Sequence, residues 1–275
     1  MSAVSLEAKS PFDMRVDLGK NVPETDVRTA LAQGDMGFLH SFTTGSAVDG
    51  PGIRVVAWTT GCMWRCQYCH NPDTWTMRNG IPVSVAQAVE EIGKYRHGLQ
   101  VMSGGLTISG GEPLMQRRFV MKVIAAAKAM GIHTAIETNG YLGAELSDSE
   151  LGNLDLVLLG IKAWDAALHR AVTGRDIRPT LAFARRLADR KRPIWVRFVL
   201  VPGLTDDAGD IAQIAEFAAR LGNVQRVEVL PFHQMGSFKW AALGIRYALE
   251  KTGPPSREAQ EAACNIFRAA GLTAH

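Results

Sequence analysis

Cysteine is scarce in this chain and crowded where it occurs: four in 275 residues, three of them at positions 62, 66 and 69. Too few and too clustered for a disulfide framework, they read as metal ligands in a compartment where thiols stay reduced. No apolar run approaches the roughly 20 residues that span a bilayer, so no membrane helix is expected. The N-terminus has no basic-then-apolar leader, and Glu7, Asp13, Asp17, Glu24 and Asp26 argue against an acid-poor transit peptide. A cytoplasmic location is expected. Charge of one sign is also missing, since 30 Lys and Arg against 27 Asp and Glu leave only +3. The doublets Arg185-Arg186 and Lys191-Arg192 suit solvated helix surface, and no basic run builds the patch that nucleic acid or an anionic membrane needs. Internal repeats and low-complexity tracts are absent too, which excludes solenoids and long disordered linkers.

What is present is an ordinary globular balance, 47% hydrophobic and 21% charged. A chain of this length buries a large core without a disulfide or metal to fold it. Residues 1–36 mix charges with Pro11, Gly19 and Pro23 and show no clean periodicity. We expect them to form a loosely ordered extension, with one short helix over 25–33, ahead of a single domain over residues 37–275. In that domain short β-branched apolar runs at 53–60, 106–109, 133–138, 154–161, 194–201 and 224–230 suit strands buried on both faces. Helical segments fall between them, near 85–95, 118–130, 147–151, 165–171, 180–189 and 207–221, with a last helix near 256–270. Gly131, Gly222 and Gly271 stand where left-handed caps would stop helices. Six βα units in succession predict an α/β fold with six parallel strands and right-handed crossovers. The pattern leaves open whether the sheet is doubly wound or a partial barrel.

The strongest local signal is Gly61-Cys62-Met63-Trp64-Arg65-Cys66-Gln67-Tyr68-Cys69-His70, a C-x3-C-x2-C spacing. So tight a loop brings three thiolates to three corners of one cubane, whereas a fully ligated cluster usually takes four cysteines. Cys264, in the last helix, reads as a buried structural thiol. With three protein ligands one iron stays exposed, open to a chelating substrate. The alternative is zinc on Cys62, Cys66, Cys69 and His70, although adjacent residues converge poorly on one tetrahedral ion. Other polar or glycine-rich residues recur at strand ends: Ser109-Gly110-Gly111-Glu112-Pro113, Glu137-Thr138-Asn139-Gly140, Lys162, Pro202-Gly203 and Leu230-Pro231-Phe232-His233. Carboxyl ends of strands form the active-site face of parallel βα folds, so this recurrence points to an enzyme.

The cysteine spacing, with aromatic Tyr68 before the third cysteine, resembles the radical S-adenosylmethionine superfamily. Add Asp49-Gly50-Pro51-Gly52-Ile53-Arg54, Cys69-His70-Asn71, the Ser-Gly-Gly-Glu run, Glu137-Thr138-Asn139-Gly140 and Leu230-Pro231-Phe232-His233 through Lys239-Trp240. Residues 37–273 then look like glycyl-radical enzyme activases of the pyruvate formate-lyase type. The 39 residues between Cys69 and Ser109 hold no cysteine, unlike activases with an inserted ferredoxin-like domain.

The resemblance implies a partial (β/α)6 barrel and a [4Fe–4S] cluster on Cys62, Cys66 and Cys69. S-adenosyl-L-methionine would chelate the open iron. One electron, from flavodoxin or ferredoxin, would cleave it to methionine and a 5′-deoxyadenosyl radical that takes hydrogen from a glycine of the partner, pyruvate formate-lyase. A monomer is expected, with neither nucleic acid nor membrane as partner. By the same resemblance Tyr68 and His70 lie beside the adenine, and Gly110, Gly111 and Glu112 at the cofactor's amino group. Lys162, with Gly160 and Ile161 before it, meets the carboxylate and ribose, and His233 contacts the cofactor. Arg197 pairs with a carboxylate in the barrel or steadies the bound peptide, and Asp49 and Arg54 belong to the glycine-loop docking site. Two positions depart from the family: Gly160 replaces an aspartate, and Glu137 replaces another. Those aspartates help hold a monovalent cation, so the cation site is expected to be weakened or rebuilt around Glu137.

Overall fold

The structure, a computed structural model, describes residues 27–275. Helix α1 (Val27–Gln33) leads into β1 (Met36–Ser46) and β2 (Arg54–Thr59), followed by β3 (Ile81–Ser84), α2 (Val85–Lys94) and α3 (Arg96–Val101). Strands and helices then alternate: β4 (Gly105–Gly110), α4 (Arg117–Ala129), β5 (His133–Thr138), α5 (Asp148–Gly152), β6 (Leu156–Gly160), α6 (Ala166–Thr173) and α7 (Arg178–Asp189). The chain continues through β7 (Ile194–Leu200), α8 (Ala208–Leu221) and β8 (Val224–Pro231) to α9 (Ser237–Ala242) and α10 (Arg257–Ala269).

One eight-stranded sheet has the order β3-β1-β2-β4-β5-β6-β7-β8. From β2 through β8 the pairings are parallel and follow sequence order, which accounts for the six strands expected. A doubly wound sheet reverses its order at a switch point; this one does not, so the architecture is the partial (β/α)6 barrel. It stays open. The outer edge of β8 is met by the C-terminal tail, where Val227 and Val229 donate to the carbonyls of Thr273 and His275 at 2.8 Å. Two strands go beyond the expectation: β1 pairs antiparallel with β2, and β3 antiparallel with β1.

Alternation along the strands sorts side chains between the two faces. Val157 and Leu159 join the main core, while Leu156 and Leu158 pack with Ala135 and Trp195 in a separate cluster inside the barrel. Counting on by two from those inner positions reaches Glu137, Gly160 and Arg197 at the carboxyl ends. Gly131, Gly222 and Gly271 take positive φ at helix ends, +72°, +71° and +86°, as expected.

Of the extension expected over residues 1–36, residues 1–26 lie outside the described residues, including the first two of the expected helix. The remainder packs against β1 and α4. Lys122 of α4 holds Asp35 at 2.5 Å and the Gln33 carbonyl at 3.1 Å, and β1 begins at Met36. No helix among the described residues is long and apolar enough to cross a membrane.

Candidate active site

The cysteine loop leaves the end of β2 and is fastened by backbone on several sides. Gly61 and Cys62 donate to Thr74 and Trp75 carbonyls at 2.7 and 3.1 Å, and the Gly61 carbonyl accepts from Glu112 at 2.7 Å. Arg65 and Gln67 donate to the carbonyls of Thr173 and Val172 at the end of α6, both at 2.9 Å, and the Trp240 indole donates to the Cys69 carbonyl at 2.9 Å. A loop held so firmly presents its thiols in fixed directions. The turn after β4 closes against it because glycines stand there: a Cβ on Gly110, at φ +120°, would lie 2.2 Å from the Thr59 carbonyl oxygen, and one on Gly111 2.4 Å from that of Gly61.

A cavity of about 540 Å³ opens between these loops and the strand ends. Its wall includes Cys62, Cys66, Tyr68, Cys69, His70, Gly110, Gly111, Glu137, Gly160, Lys162, Arg197 and His233. The structure thus brings together on one cavity wall all the site residues expected from sequence except Glu112, Ile161 and Arg54, with Asp49 also on the wall. Glu112 turns inward instead: fully buried, it accepts from Thr138 Oγ1 (2.6 Å), the Asn139 amide (2.8 Å) and the Leu114 amide (3.0 Å), tying the β4 turn to the end of β5. Burial pushes its carboxyl up to about 7 despite those donors. Ile161 also faces away, into the main core, because it alternates with Gly160 and Lys162. Arg54 is not at a docking surface either. It is fully buried and donates to Thr107 Oγ1 at 3.0 Å and the Leu106 carbonyl at 2.6 Å.

Sequence reasoning missed Trp58, Trp64, Trp75, Thr138, Asn139 and Val199, which also line the cavity. Asn139 and Thr138 belong to a motif singled out for its neighbours. Trp64 had no local signal, since it packs edge-on against His169, 5.1 Å between ring centroids, far along the chain.

Electrostatically the wall is graded. Arg197, 6% exposed, donates to Glu137 and Glu228 at 2.8 Å each, lies 3.4 Å from Asp49, and reaches the Val48 carbonyl. Burial opposes its charge, but Glu137, Glu228 and Asp49 outweigh that and hold the guanidinium above its ordinary pKa. Burial likewise opposes ionisation of Glu137, yet Arg197 and the Ser109 hydroxyl, 2.6 Å away, hold the carboxyl below its usual range. A Cβ on Gly160 would lie 2.9 Å from Lys162 Nζ, so this glycine is what gives the ammonium its place. His70 stacks on His233, 4.0 Å between centroids, and its pKa is pushed down to about 4 by burial and then by His233.

The donor set fits a cluster with one open corner. Burial pushes all three thiols up, Cys66 to about 12, so their thiolates need a bound cation to form. Among the described residues no three His, Cys, Asp or Glu side chains converge as one metal ion requires. A cubane takes one thiolate at each of separate iron corners and does not require the three thiols to converge on a single ion. Beside the thiols, the buried Tyr68 hydroxyl and Trp64 indole N–H have no partner among the described residues and stand on the cavity wall. A polar ligand next to the cluster would satisfy such groups.

A three-thiol loop joined to a largely apolar cavity that carries a few charged groups separates this class from electron-carrying ferredoxins, whose clusters take four cysteines. The family model described as Radical SAM superfamily matches residues 56–218. A pyruvate formate-lyase 1-activating enzyme from Escherichia coli K12 is 39% identical over 238 residues, 86% of this chain and 97% of that protein. A pyruvate formate-lyase-activating enzyme from Staphylococcus aureus USA300 is 44% identical over 234 residues, 82% and 93%. The crystal structure of a domain of pyruvate-formate lyase-activating enzyme from Bacteroides vulgatus superimposes with a TM-score of 0.51 at 26% identity, over 62% of this chain and 98% of that one. Streptococcus suis SuiB bound to its precursor peptide SuiA shares the fold at TM-score 0.59 and 17% identity, over 80% of this chain and 47% of that one. The chain belongs to the radical SAM superfamily and, within it, to the pyruvate formate-lyase activating enzymes.

Proposed function

We propose that this chain activates a pyruvate formate-lyase, acting as a cytoplasmic monomer that takes one hydrogen atom from a glycine of its partner. The observation that carries the reading is convergence: three thiols, a glycine cradle and Lys162, His70 and His233 meet in one cavity at the strand ends. Cys62, Cys66 and Cys69 would hold a [4Fe–4S] cluster, and Gly110, Gly111, Tyr68, His70, Lys162 and His233 would hold S-adenosylmethionine beside it. Bound together and given one electron by flavodoxin or ferredoxin, the pair supplies methionine and a 5′-deoxyadenosyl radical, which becomes 5′-deoxyadenosine on taking the glycine hydrogen.

The chain's own residues bind, orient and shield. Lys162 offers an ammonium to a carboxylate. Arg197 holds Glu137 ionised and fixed, so that Glu137 remains an acceptor at the mouth. Trp75, Trp64 and Tyr68 exclude water from the wall. The unclosed sheet leaves a side by which an extended peptide enters. A monovalent cation here would have to share Glu137 with Arg197, and Lys162 already stands beside Gly160. We therefore read the site as working with these two side-chain cations and no added ion.

The test is anaerobic. The reconstituted, reduced protein is mixed with S-adenosylmethionine and pyruvate formate-lyase and followed by electron paramagnetic resonance. A glycyl radical formed together with 5′-deoxyadenosine supports the reading. An intact, reducible cluster that yields neither product refutes it.

A further inference from the structure

An electron must reach the cysteine loop from outside the chain, and the loop's solvent face is strongly basic. Arg65 is exposed, and one of its guanidinium nitrogens donates to the Cys62 and Trp64 carbonyls at 2.6 and 2.7 Å. The same guanidinium lies over the Trp75 ring, 4.8 Å from its centroid. Pairing of the loop with the end of α6 brings two more exposed arginines to this face. Arg175 donates from Nε to the Met63 carbonyl at 3.2 Å, and Arg170 stands on α6 itself. Asp176 is already held by Arg178 at 2.5 Å. Among the described residues no carboxylate comes within ion-pair distance of Arg65, Arg170 or Arg175. Arg170 also acts on Asp176 through space and helps hold that carboxyl down, so three arginines gather on this face against a carboxylate that Arg178 already pairs.

Arg65 and Arg175 have a structural use, since they cap loop carbonyls. Arg170 has none, because its side chain makes no hydrogen bond among the described residues. We infer that this face, centred on Arg65, is the docking surface of the electron donor, and that the donor is a small acidic one-electron carrier protein. The inference rests on the activase reading above. Inward from Arg65 the path is short: one hydrogen bond leads to the carbonyl of Cys62, and the Trp75 indole beneath the guanidinium lines the same cavity wall as Cys69. The carrier gives one electron to the cluster and leaves oxidised by one electron, with no proton or group transferred. Charge complementarity of this kind sets encounter rate and choice of partner, and it weakens with salt. Small, transient contacts are the norm for redox partners.

Arg170→Glu tests this most cleanly, because the side chain touches neither the loop nor the cavity. With the holoenzyme and flavodoxin as probe, calorimetry gives the Kd across a salt series and stopped flow gives the rate of cluster reduction. In parallel, 5′-deoxyadenosine formation is driven by dithionite, which needs no docking surface. Arg170→Glu is expected to weaken flavodoxin binding about tenfold at low salt and to flatten its salt dependence, with dithionite-driven turnover unchanged. Adding Arg175→Glu should weaken binding by a further factor of about ten. Three results overturn the inference: wild-type protein that binds neither flavodoxin nor ferredoxin at low salt, unchanged binding in both variants, or dithionite-driven turnover that falls in step with carrier-driven turnover in Arg170→Glu. Failure of the activase reading looks different, because wild-type protein with an intact cluster would then form no 5′-deoxyadenosine even with dithionite.

Discussion

Two buried arginines occupy opposite ends of the barrel, and their surroundings differ in kind. Arg54, at the start of β2, donates to neutral groups, chiefly Thr107 Oγ1 and the Leu106 carbonyl, and burial pushes its pKa down to about 10 against distant help from Asp155 and Asp49. Arg197, further up β7, sits among Glu137, Glu228 and Asp49, and those carboxylates hold it above its ordinary value in spite of burial. At the amino-terminal end, therefore, a cation serves as a hydrogen-bonding staple that seals the strands. At the carboxyl end the cation is one element of a charged lattice that faces a cavity. Concentrated charge in the interior is costly, and here it stands where a charged ligand is to be oriented.

Substitutions should separate the two ends. The largest effect is expected from Arg197→Met, which leaves buried Asp49 and half-buried Glu137 without their cation and Glu228 with Arg226 alone, and costs about 3 kcal/mol. The cost depends on pH in a defined sense. Glu137 has a depressed folded pKa, so its stabilising contribution is present above its unfolded value and lost as pH falls through the lower folded one. Without Arg197 the deficit is greatest near neutrality and shrinks as pH falls below the usual carboxylate range. Urea unfolding at neutral and acid pH measures this. Arg54→Met should cost less, about 1–3 kcal/mol for lost hydrogen bonds partly offset by apolar burial. That cost should be flat across the carboxylate range and leave S-adenosylmethionine affinity unchanged. If Arg54→Met showed the same fading at acid pH, the contrast between the two ends would not hold.

Smaller again is Gly160→Asp. The new side chain meets only the flexible end of Lys162, so stability should change by no more than about 1 kcal/mol. The carboxylate should draw the ammonium away, weaken S-adenosylmethionine binding severalfold in calorimetry, and make binding sensitive to potassium against choline; wild-type binding should show no such sensitivity. Last is Cys264→Ala. It removes a buried thiol at a cost of about 1 kcal/mol, with iron and sulfide content unchanged. Cys66→Ala should lose the cluster.

All six parallel strands were legible to within two residues of their ends, because β-branched apolar runs buried on both faces leave a continuous signal. β1 and β3 were not. β1 carries Gly37, Gly45 and the hydroxyls of Ser41, Thr43, Thr44 and Ser46, and β3 is four residues long with Pro82 inside it. Their pairing, Leu39 opposite Ile81, is a tertiary fact without a local pattern. Within the site, the thiols, the glycine cradle, Lys162 and His233 could be read from spacing and strand-end position. Ile161 was readable too, by strict alternation from Gly160, and was misplaced by treating neighbours in sequence as neighbours in space. Glu112 was not, since its inward turn depends on Gly110 taking φ +120° against Thr59.

The central claim is that three cysteines of this chain hold a cluster whose remaining iron is free for the cofactor. Mössbauer spectroscopy of iron-57-reconstituted protein, with and without S-adenosylmethionine, tests it most directly. The account predicts a [4Fe–4S] spectrum in which a single iron subsite shifts when the cofactor is added and the other three do not. A spectrum that the cofactor leaves unchanged, or a cluster that survives loss of Cys66 but not of Cys264, would contradict it.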